Sequence, residues 1–191
     1  MIKINPFTGK LDLVGNEISS FPDYPVGTRQ TFLESGYVVT TSFAMVVNTL
    51  LGYFIRIEKD TNIASLRLQL ATTAVGNSIF GVYDLLDGYP TDLLFSGAPF
   101  DNNVGGNSDA TINQTISEGF YFVAYNSSSA NAAVSWFGNL YNSMLGAPTS
   151  INGGRTGYSI ARVYDGTLPT TFPAGATFAT SVMPAITFLI Q

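Results

Sequence analysis

A run of six consecutive apolar or aromatic residues, Phe120–Tyr125, constrains the fold more than any other stretch of the chain. The run is far shorter than the ~20 residues that a transmembrane helix needs, and it has no helical stripe. Its aromatic and β-branched side chains are typical of a strand that is buried on both faces. The alternative, a buried helix segment, calls for a longer run. We therefore predict a central strand that follows a turn at Glu118-Gly119.

Several other stretches alternate apolar and polar residues with a period of two, which is typical of half-buried strands. The predicted inward-facing sets are Tyr53, Ile55 and Ile57; Leu66, Leu68 and Leu70; Ile112 and Ile116; and Ile186, Phe188 and Ile190. Residues 59–62 and 86–90 are predicted as turns, and residues 99–109 as a long polar loop. No helical segment is convincing. The pattern predicts an all-β chain, an antiparallel β-sandwich of the jelly-roll type.

The chain is poor in charge. Charged residues make up 11% of the 191 residues, whereas ordinary soluble domains carry about a quarter. A surface of this kind suits an obligate oligomer or a domain docked in a larger particle; the alternative is a neutral monomer rich in Ser, Thr and Asn. The eight basic residues are spread along a chain of net charge −5. Phosphate recognition needs clustered positive charge, so no nucleic-acid partner is expected.

The chain has no histidine and no cysteine. Ser-His-Asp catalysis, histidine metal ligation and thiolate chemistry are therefore excluded. A pair of carboxylates is the remaining option for an enzyme, but Glu17 lies in the N-terminal segment and Glu58 and Glu118 adjoin turns. We predict a protein that is not an enzyme and has no cofactor. No signal peptide follows Met1, and no apolar run reaches membrane-spanning length, so no membrane partner is expected.

Three aspartates flank the predicted turn at residues 86–90, namely Asp84, Asp87 and Asp92. Carboxylates grouped in one loop can hold Ca²⁺ together with backbone carbonyls. Turn chemistry explains Asp87-Gly88 equally well, because this pair favours a tight hairpin turn. We predict no metal site on this basis and leave the calcium alternative open.

The first 28 residues differ from the rest of the chain. We predict an N-terminal arm and linker at residues 1–28 and the β-sandwich at residues 29–191. The apolar residues of the arm are too few for a core of their own, so the segment reads as a peptide that docks on a partner; the alternative is an N-terminus packed on its own domain. The predicted docking residues are Ile4, Pro6, Phe7, Leu11, Leu13 and Val14.

Carbohydrate binding is the functional site that the residue types support best. Sugar rings stack on exposed aromatic side chains beside amide and carboxylate groups. The candidate glycan-binding residues are Tyr89, Phe100, Asp101, Asn102, Tyr141 and Asn142. The alternative, which the residue types favour, is that these rings and Trp136 belong to the core or to a subunit interface.

Two stretches resemble known proteins. INPFTGKLDLVG, at residues 4–15, resembles a short N-terminal motif of virion proteins from tailed bacteriophages, where it precedes a variable domain and is thought to attach it to the particle. The region from about Tyr37 to Phe188 is similar to a β-sandwich domain of phage tail, fibre and head-appendage proteins. The matching pieces are IASLRLQLATTAVGNSIFGVYD (63–84), GYPTDLLFSG (88–97), TINQTISEGFYFVAY (111–125), GYSIARVY (157–164) and LPTTFPAGATF (168–178).

The resemblance implies a structural protein of the virion, such as a head or tail fibre or a capsid decoration protein, anchored by its N-terminal arm. It implies an oligomer, with a homotrimer favoured, whose partners are other virion proteins of the capsid, tail or baseplate. A receptor- or glycan-binding module for host attachment is the alternative. No ligand residues carry over, because the shared pattern is one of core and turn positions.

Overall fold

The structure, a computed structural model, describes residues 2–4, 11–13, 24–30, 42–44, 46–129, 133–137, 157–179, 183–184 and 186–191. Over these residues the chain is all-β and contains no helix. Two seven-stranded sheets pack against each other. The predicted antiparallel β-sandwich is therefore confirmed, whereas the jelly-roll connectivity stays a prediction.

One sheet, here called sheet 1, is built around β6 (Thr61–Leu70). This strand pairs antiparallel with β10 (Gly106–Ile116) along one side and with β16 (Ile186–Ile190) along the other. The shorter strands of sheet 1 are β3 (Arg29–Gln30), β4 (Ser42–Ala44), β12 (Ala133–Phe137) and β15 (Met183–Pro184).

The second sheet, sheet 2, is centred on β11 (Gly119–Ser127), which lies between β5 (Thr49–Ile57) and β7 (Asn77–Leu86). Every residue from 121 to 127 is buried. The predicted central strand with two buried faces is thus confirmed. The other strands of sheet 2 are β8 (Tyr89–Ser96), β9 (Phe100–Asp101), β13 (Gly157–Ala161) and β14 (Thr177–Ala179).

The inner core lies between the two sheets. Its members include the predicted inward-facing sets of β5, β6 and β16, namely Tyr53, Ile55 and Ile57; Leu66, Leu68 and Leu70; and Ile186, Phe188 and Ile190. The Tyr53 hydroxyl joins the sheets, because it donates to the Ile186 carbonyl and accepts from the Ile186 N–H, both at 3.3 Å. Burial raises the pKa of Tyr53, so this bond persists over the pH range in which the protein is handled.

The outer face of sheet 2 is buried as well, under residues 162–176, here called the strap. Leu168 and Phe172 of the strap pack on Phe54, Tyr83 and Phe122 of the sheet. The backbone of the strap is bonded to β8, from Leu93 N to Thr170 O (2.8 Å) and from Phe172 N to Thr91 O (2.7 Å). Sheet 2 is therefore the middle layer of the molecule, which explains why its central strand has no polar face.

Three of the predicted turns and loops are shorter than expected. The turn at residues 59–62 ends earlier, because β6 begins at Thr61. The predicted polar loop at residues 99–109 contains β9 and the first residues of β10. The prediction was wrong here because most of β10 is exposed on one face, so its sequence, GNSDATINQTI, carries few apolar residues. The predicted turn at residues 86–90 is narrower as well, because β7 ends at Leu86 and β8 begins at Tyr89. The remaining pair, Asp87-Gly88, has φ of 52° and 77°, as a type I′ turn requires.

Candidate functional site

Tyr89, the first of the predicted glycan-binding residues, begins β8 and anchors the strap. Its hydroxyl donates to the Pro173 carbonyl at 2.7 Å and accepts from the Ala176 N–H at 3.2 Å. Its ring lies 5.0 Å from the ring of Tyr158 and 6.0 Å from that of Phe172. The hydroxyl is thus engaged within the protein, and the ring is half-buried.

Phe100, Asp101 and Asn102 lie together, with three different roles. The Phe100 ring packs on Phe80 at 5.4 Å, against the inner core. The exposed Asp101 carboxylate accepts the Asn103 N–H at 2.8 Å, which is the ordinary role of an aspartate in a turn. Asn102 is fully buried, and its amide donates to the Ser127 hydroxyl at 3.4 Å.

The structure does not bring Tyr89 close to Phe100. Along β7, Tyr89 is opposite Leu86, whereas Phe100 is opposite Ser78. Eight strand residues separate these positions, which corresponds to about 26 Å at ~3.3 Å per residue. The two rings also pack in different clusters. Tyr141 and Asn142 lie outside the described residues.

A row of rings that we did not predict runs from Tyr89 to the edge of sheet 2. Tyr158 of β13 lies between Tyr89, at 5.0 Å, and Phe178 of β14, at 5.1 Å, and it stacks on Phe178 with an interplanar angle of 23°. Phe178 is 40% exposed at the sheet edge. We call these three residues the aromatic ridge. No sequence signal could identify it, because the stretch around Phe178, PAGATFA at residues 173–179, has no alternating pattern of large apolar residues.

The N-terminal arm contributes two short strands that pair with each other. β1 (Ile2–Ile4) and β2 (Leu11–Leu13) form an antiparallel sheet with Ile4 opposite Leu11. Among the described strands, β1 and β2 have no partner in either sheet of the sandwich. Of the predicted docking residues, Ile4, Leu11 and Leu13 lie in these strands, and Pro6, Phe7 and Val14 lie outside the described residues.

The end of the predicted linker lies on the sandwich. Gly27 N donates to Ile190 O at 2.9 Å, and Ile190 N donates to Thr28 O at 3.0 Å. Tyr24 packs against the inner core, and the Lys59 ammonium lies 5.4 Å from the centre of its ring. Residues 24–28 are therefore held by the last strand of the fold.

Two arginines share one carboxylate on sheet 1. Asp109 Oδ1 accepts from Arg29 Nη2 and from Arg67 Nε, both at 2.8 Å, and its other oxygen accepts from Arg67 Nη2. These hydrogen bonds from Arg67, with the charge of Arg29, lower the pKa of Asp109 despite its partial burial. The group ties β3, β6 and β10 together across sheet 1, so we assign it a structural role.

Two of the three aspartates around the β7–β8 turn have partners within the protein. Asp84 Oδ1 accepts the N–H of Leu85 at 2.8 Å, and Asp92 lies beside Thr171 of the strap. Within the described ranges, no three His, Cys, Asp or Glu side chains are grouped so that they could hold a metal ion.

Comparison with protein-family models, curated proteins and solved structures finds no match for this chain. The part of the chain that the structure describes has no helix long and apolar enough to cross a membrane.

Proposed function

We propose that this protein is a non-enzymatic structural component of a phage virion, a head- or tail-attached fibre or decoration protein. On this proposal the N-terminal arm anchors the β-sandwich to the capsid, tail or baseplate. The mature protein acts as an oligomer, with a trimer favoured by the resemblance of residues 4–15 and 37–188 to phage proteins.

The observation that carries the proposal is the separate pairing of the arm. β1 and β2 bond to each other, and among the described strands neither extends a sheet of the sandwich. A two-stranded sheet is marginally stable alone in water. A partner surface that covers its apolar residues would stabilise it, as expected of a docking peptide. Charged residues make up only 11% of the chain, which further supports a protein that works within an assembly.

The proposal is tested by deleting residues 1–15 and measuring how much protein is incorporated into assembled particles. We expect the truncated protein to be absent from purified particles, because its anchor is removed. A smaller change, Leu11→Asp with Leu13→Asp, should act in the same direction. The matched control is Leu86→Asp, at a leucine that is 65% exposed on the sandwich; it should be incorporated normally. Full occupancy by the truncated protein would contradict the docking role.

A second function, glycan binding in host attachment, is favoured by the aromatic ridge. The ridge ends in a ring at the sheet edge, and a pyranose presents an apolar face that fits such a ring. The Pro173 carbonyl, which already accepts from the Tyr89 hydroxyl, can accept a second hydrogen bond from a sugar, whereas the Ala176 N–H is used by Tyr89. On this proposal the sugar stacks on the outer face of Phe178.

The glycan proposal predicts that Phe178→Ala weakens binding about tenfold, since one aromatic contact is worth roughly 1 kcal/mol beyond its buried area. The measurement is binding of the full-length protein to a glycan array and then titration of the best sugar. Phe120→Ala is the control, because Phe120 is 38% exposed but stacks under Arg56 away from the ridge. Equal affinities for the wild type and Phe178→Ala would exclude the ridge as the site.

A further inference from the structure

Five loops meet at one end of sheet 2: residues 46–48, 71–76, 102–105, 128–129 and 162–165. Backbone hydrogen bonds link them in series, from Arg162 N to Asn48 O (2.8 Å), from Asn48 N to Ser127 O (2.8 Å), from Ser128 N to Asn77 O (2.9 Å) and from Asn102 N to Gly76 O (2.8 Å). These loops are far apart in the sequence, and the strand order alone brings them together.

Exposed valines are concentrated at this end of the molecule. They are Val46 (48% exposed), Val47 (38%), Val75 (86%), Val104 (61%) and Val163 (72%). Single exposed apolar residues are normal on a protein surface, but a group of them at one place marks a contact surface. We call this surface the valine end.

Buried hydrogen bonds join the loops of the valine end. Below it, the Ser127 hydroxyl accepts from Ser78 Oγ at 2.9 Å and from Asn102 Nδ2 at 3.4 Å, and it donates to the Ser129 carbonyl at 3.1 Å. All four residues are at most 4% exposed. Buried hydrogen bonds of this kind fix the loops that they join. The valines are therefore presented by a defined surface.

Charge is distributed in the opposite way. The far end of sheet 2 carries most of its charged residues: Arg56, Glu58, Lys59, Asp60, Asp84, Asp87 and Glu118. At the valine end the described charges are Asp101, which caps a turn, and the pair Arg162–Asp165 at 2.9 Å. A charged partner would find almost nothing to pair with here. Membrane-surface binders use several unpaired basic residues and exposed large aromatic rings. In the five loops of this end, the basic side chain of Arg162 is paired with Asp165, and Tyr164 is half-buried against the cluster under the strap.

We propose that the valine end is the interface between copies of this chain. Two or more copies that meet through this end bury valine against valine, and they keep the acidic far ends of a chain of net charge −5 as distant as possible. A head-to-tail contact would instead press valines onto carboxylates and desolvate them. The five loops together hold 19 residues, just below the about 20–30 that a standard interface contributes per partner. The inference deepens the oligomer of the proposed function.

The test is the association state of full-length purified protein, measured by sedimentation equilibrium from nanomolar to micromolar concentration. We expect an oligomer, with Val163→Asp and Val75→Asp each weakening association at least about tenfold, because each places a carboxylate in an apolar contact. Val75→Ser is a milder variant for which a smaller loss is expected. Val26→Asp is the matched control, since Val26 is 76% exposed beside the last strand of the fold; it should associate like the wild type.

A wild-type protein that is monomeric over this concentration range would overturn the inference. An oligomer whose association is unchanged in Val163→Asp and Val75→Asp would overturn it as well, provided that the circular dichroism of both variants is that of the wild type. A third outcome also overturns the inference: the wild type and Val163→Asp are both monomeric, and Val163→Asp is lost from particles. This outcome would show that the valine end binds a different virion protein. Deletion of residues 1–15 separates the two proposals: it should abolish incorporation into particles and leave the oligomer intact.

Discussion

At the scale of single residues, close packing explains why particular side chains stand where they do. A Cβ atom at Gly81 would lie 2.6 Å from Phe95 O and 2.8 Å from Leu168 Cδ1. A Cβ atom at Gly52 would collide with the ring of Phe122 and with Val123 O. Both glycines lie on the outer face of sheet 2. The ring of Phe122 covers Gly52, and Leu168 of the strap covers Gly81. The absence of a side chain at these positions is what allows rings and strap to approach the sheet.

Asp109→Asn tests the arginine group of sheet 1. The pKa of the Asp109 carboxyl is lowered, chiefly by hydrogen bonds from Arg67. The ionised carboxylate therefore stabilises the fold at pH values above 3.8, the ordinary pKa of an aspartate. This contribution is lost as the pH falls through the lowered pKa of Asp109. Because Asp109 is 38% exposed, we expect a loss of only about 1 kcal/mol at pH 7. Urea denaturation at pH 7 and pH 2.5 is the measurement.

The stability of Asp109→Asn should also depend less on pH in the acid range than that of the wild type. Asp87→Asn, in the exposed turn between β7 and β8, is the control, because asparagine suits the positive φ of 52° at that position. A variant as stable as the wild type at pH 7, with the same acid dependence, would show that the two ion pairs contribute nothing.

At the scale of elements, the strap has no regular strand of its own and is held almost entirely by what it covers. The ring of Phe172, in the strap, lies edge-on to the rings of Tyr83 and Phe122, with a distance of 5.3 Å between ring centroids in each case. The Tyr83 hydroxyl donates to Pro169 O at 2.9 Å, across 86 positions of sequence. The strap thus depends on sheet 2 for its conformation, and sheet 2 depends on the strap to exclude water from its outer face.

Phe172→Ala should therefore lower the free energy of unfolding by about 3–4 kcal/mol, because it removes a ring that is 3% exposed and leaves a cavity against Tyr83. We expect faster proteolysis within residues 162–176 as well, since the loosened strap becomes accessible. Chemical denaturation and limited proteolysis measure the two effects. Thr170→Ala, at an exposed side chain of the same strap, should change stability by less than about 0.5 kcal/mol. Comparable losses for both variants would refute this account of the strap.

At the scale of the whole molecule, the sandwich contains its own core, and the two described strands of the arm belong to neither of its sheets. The inner core and the outer cluster under the strap together involve β5, β6, β7, β10, β11 and β16. Residues 24–28 are bonded to the last strand, whereas β1 and β2 pair only with each other among the described strands. Residues 24–28, at the end of the predicted linker, are therefore bonded to the sandwich.

Deleting residues 1–15 should consequently leave the midpoint of chemical unfolding and the far-ultraviolet circular dichroism nearly unchanged, within about 1 kcal/mol in free energy. Deletion through residue 28 is the informative comparison. It removes Tyr24 and the bonds to Ile190, so we expect it to destabilise the sandwich clearly. If the shorter deletion already unfolds the protein, the arm is part of the core and does not serve as a separate anchor.

Several elements were predictable because their signal is local. The alternation in Leu66, Leu68 and Leu70 and in the last strand places the same residues in the inner core as the structure does. The turn at Asp87-Gly88 follows from residue type alone. The candidate site was less predictable. Tyr89 and Phe100 are only eleven residues apart in the sequence, but they pair with opposite ends of β7, at Leu86 and Ser78.

The amino-acid sequence by itself determined the all-β class and the buried central strand, because period-two patterning and turn preference act over only a few residues. Only the tertiary structure decided that the strap buries the outer face of sheet 2, that Tyr158 and Phe178 join Tyr89 in one ridge, and that five scattered valines share one end. These features depend on the order of strands within the sheets. That order arises from packing between residues that are tens of positions apart, and no local pattern records it.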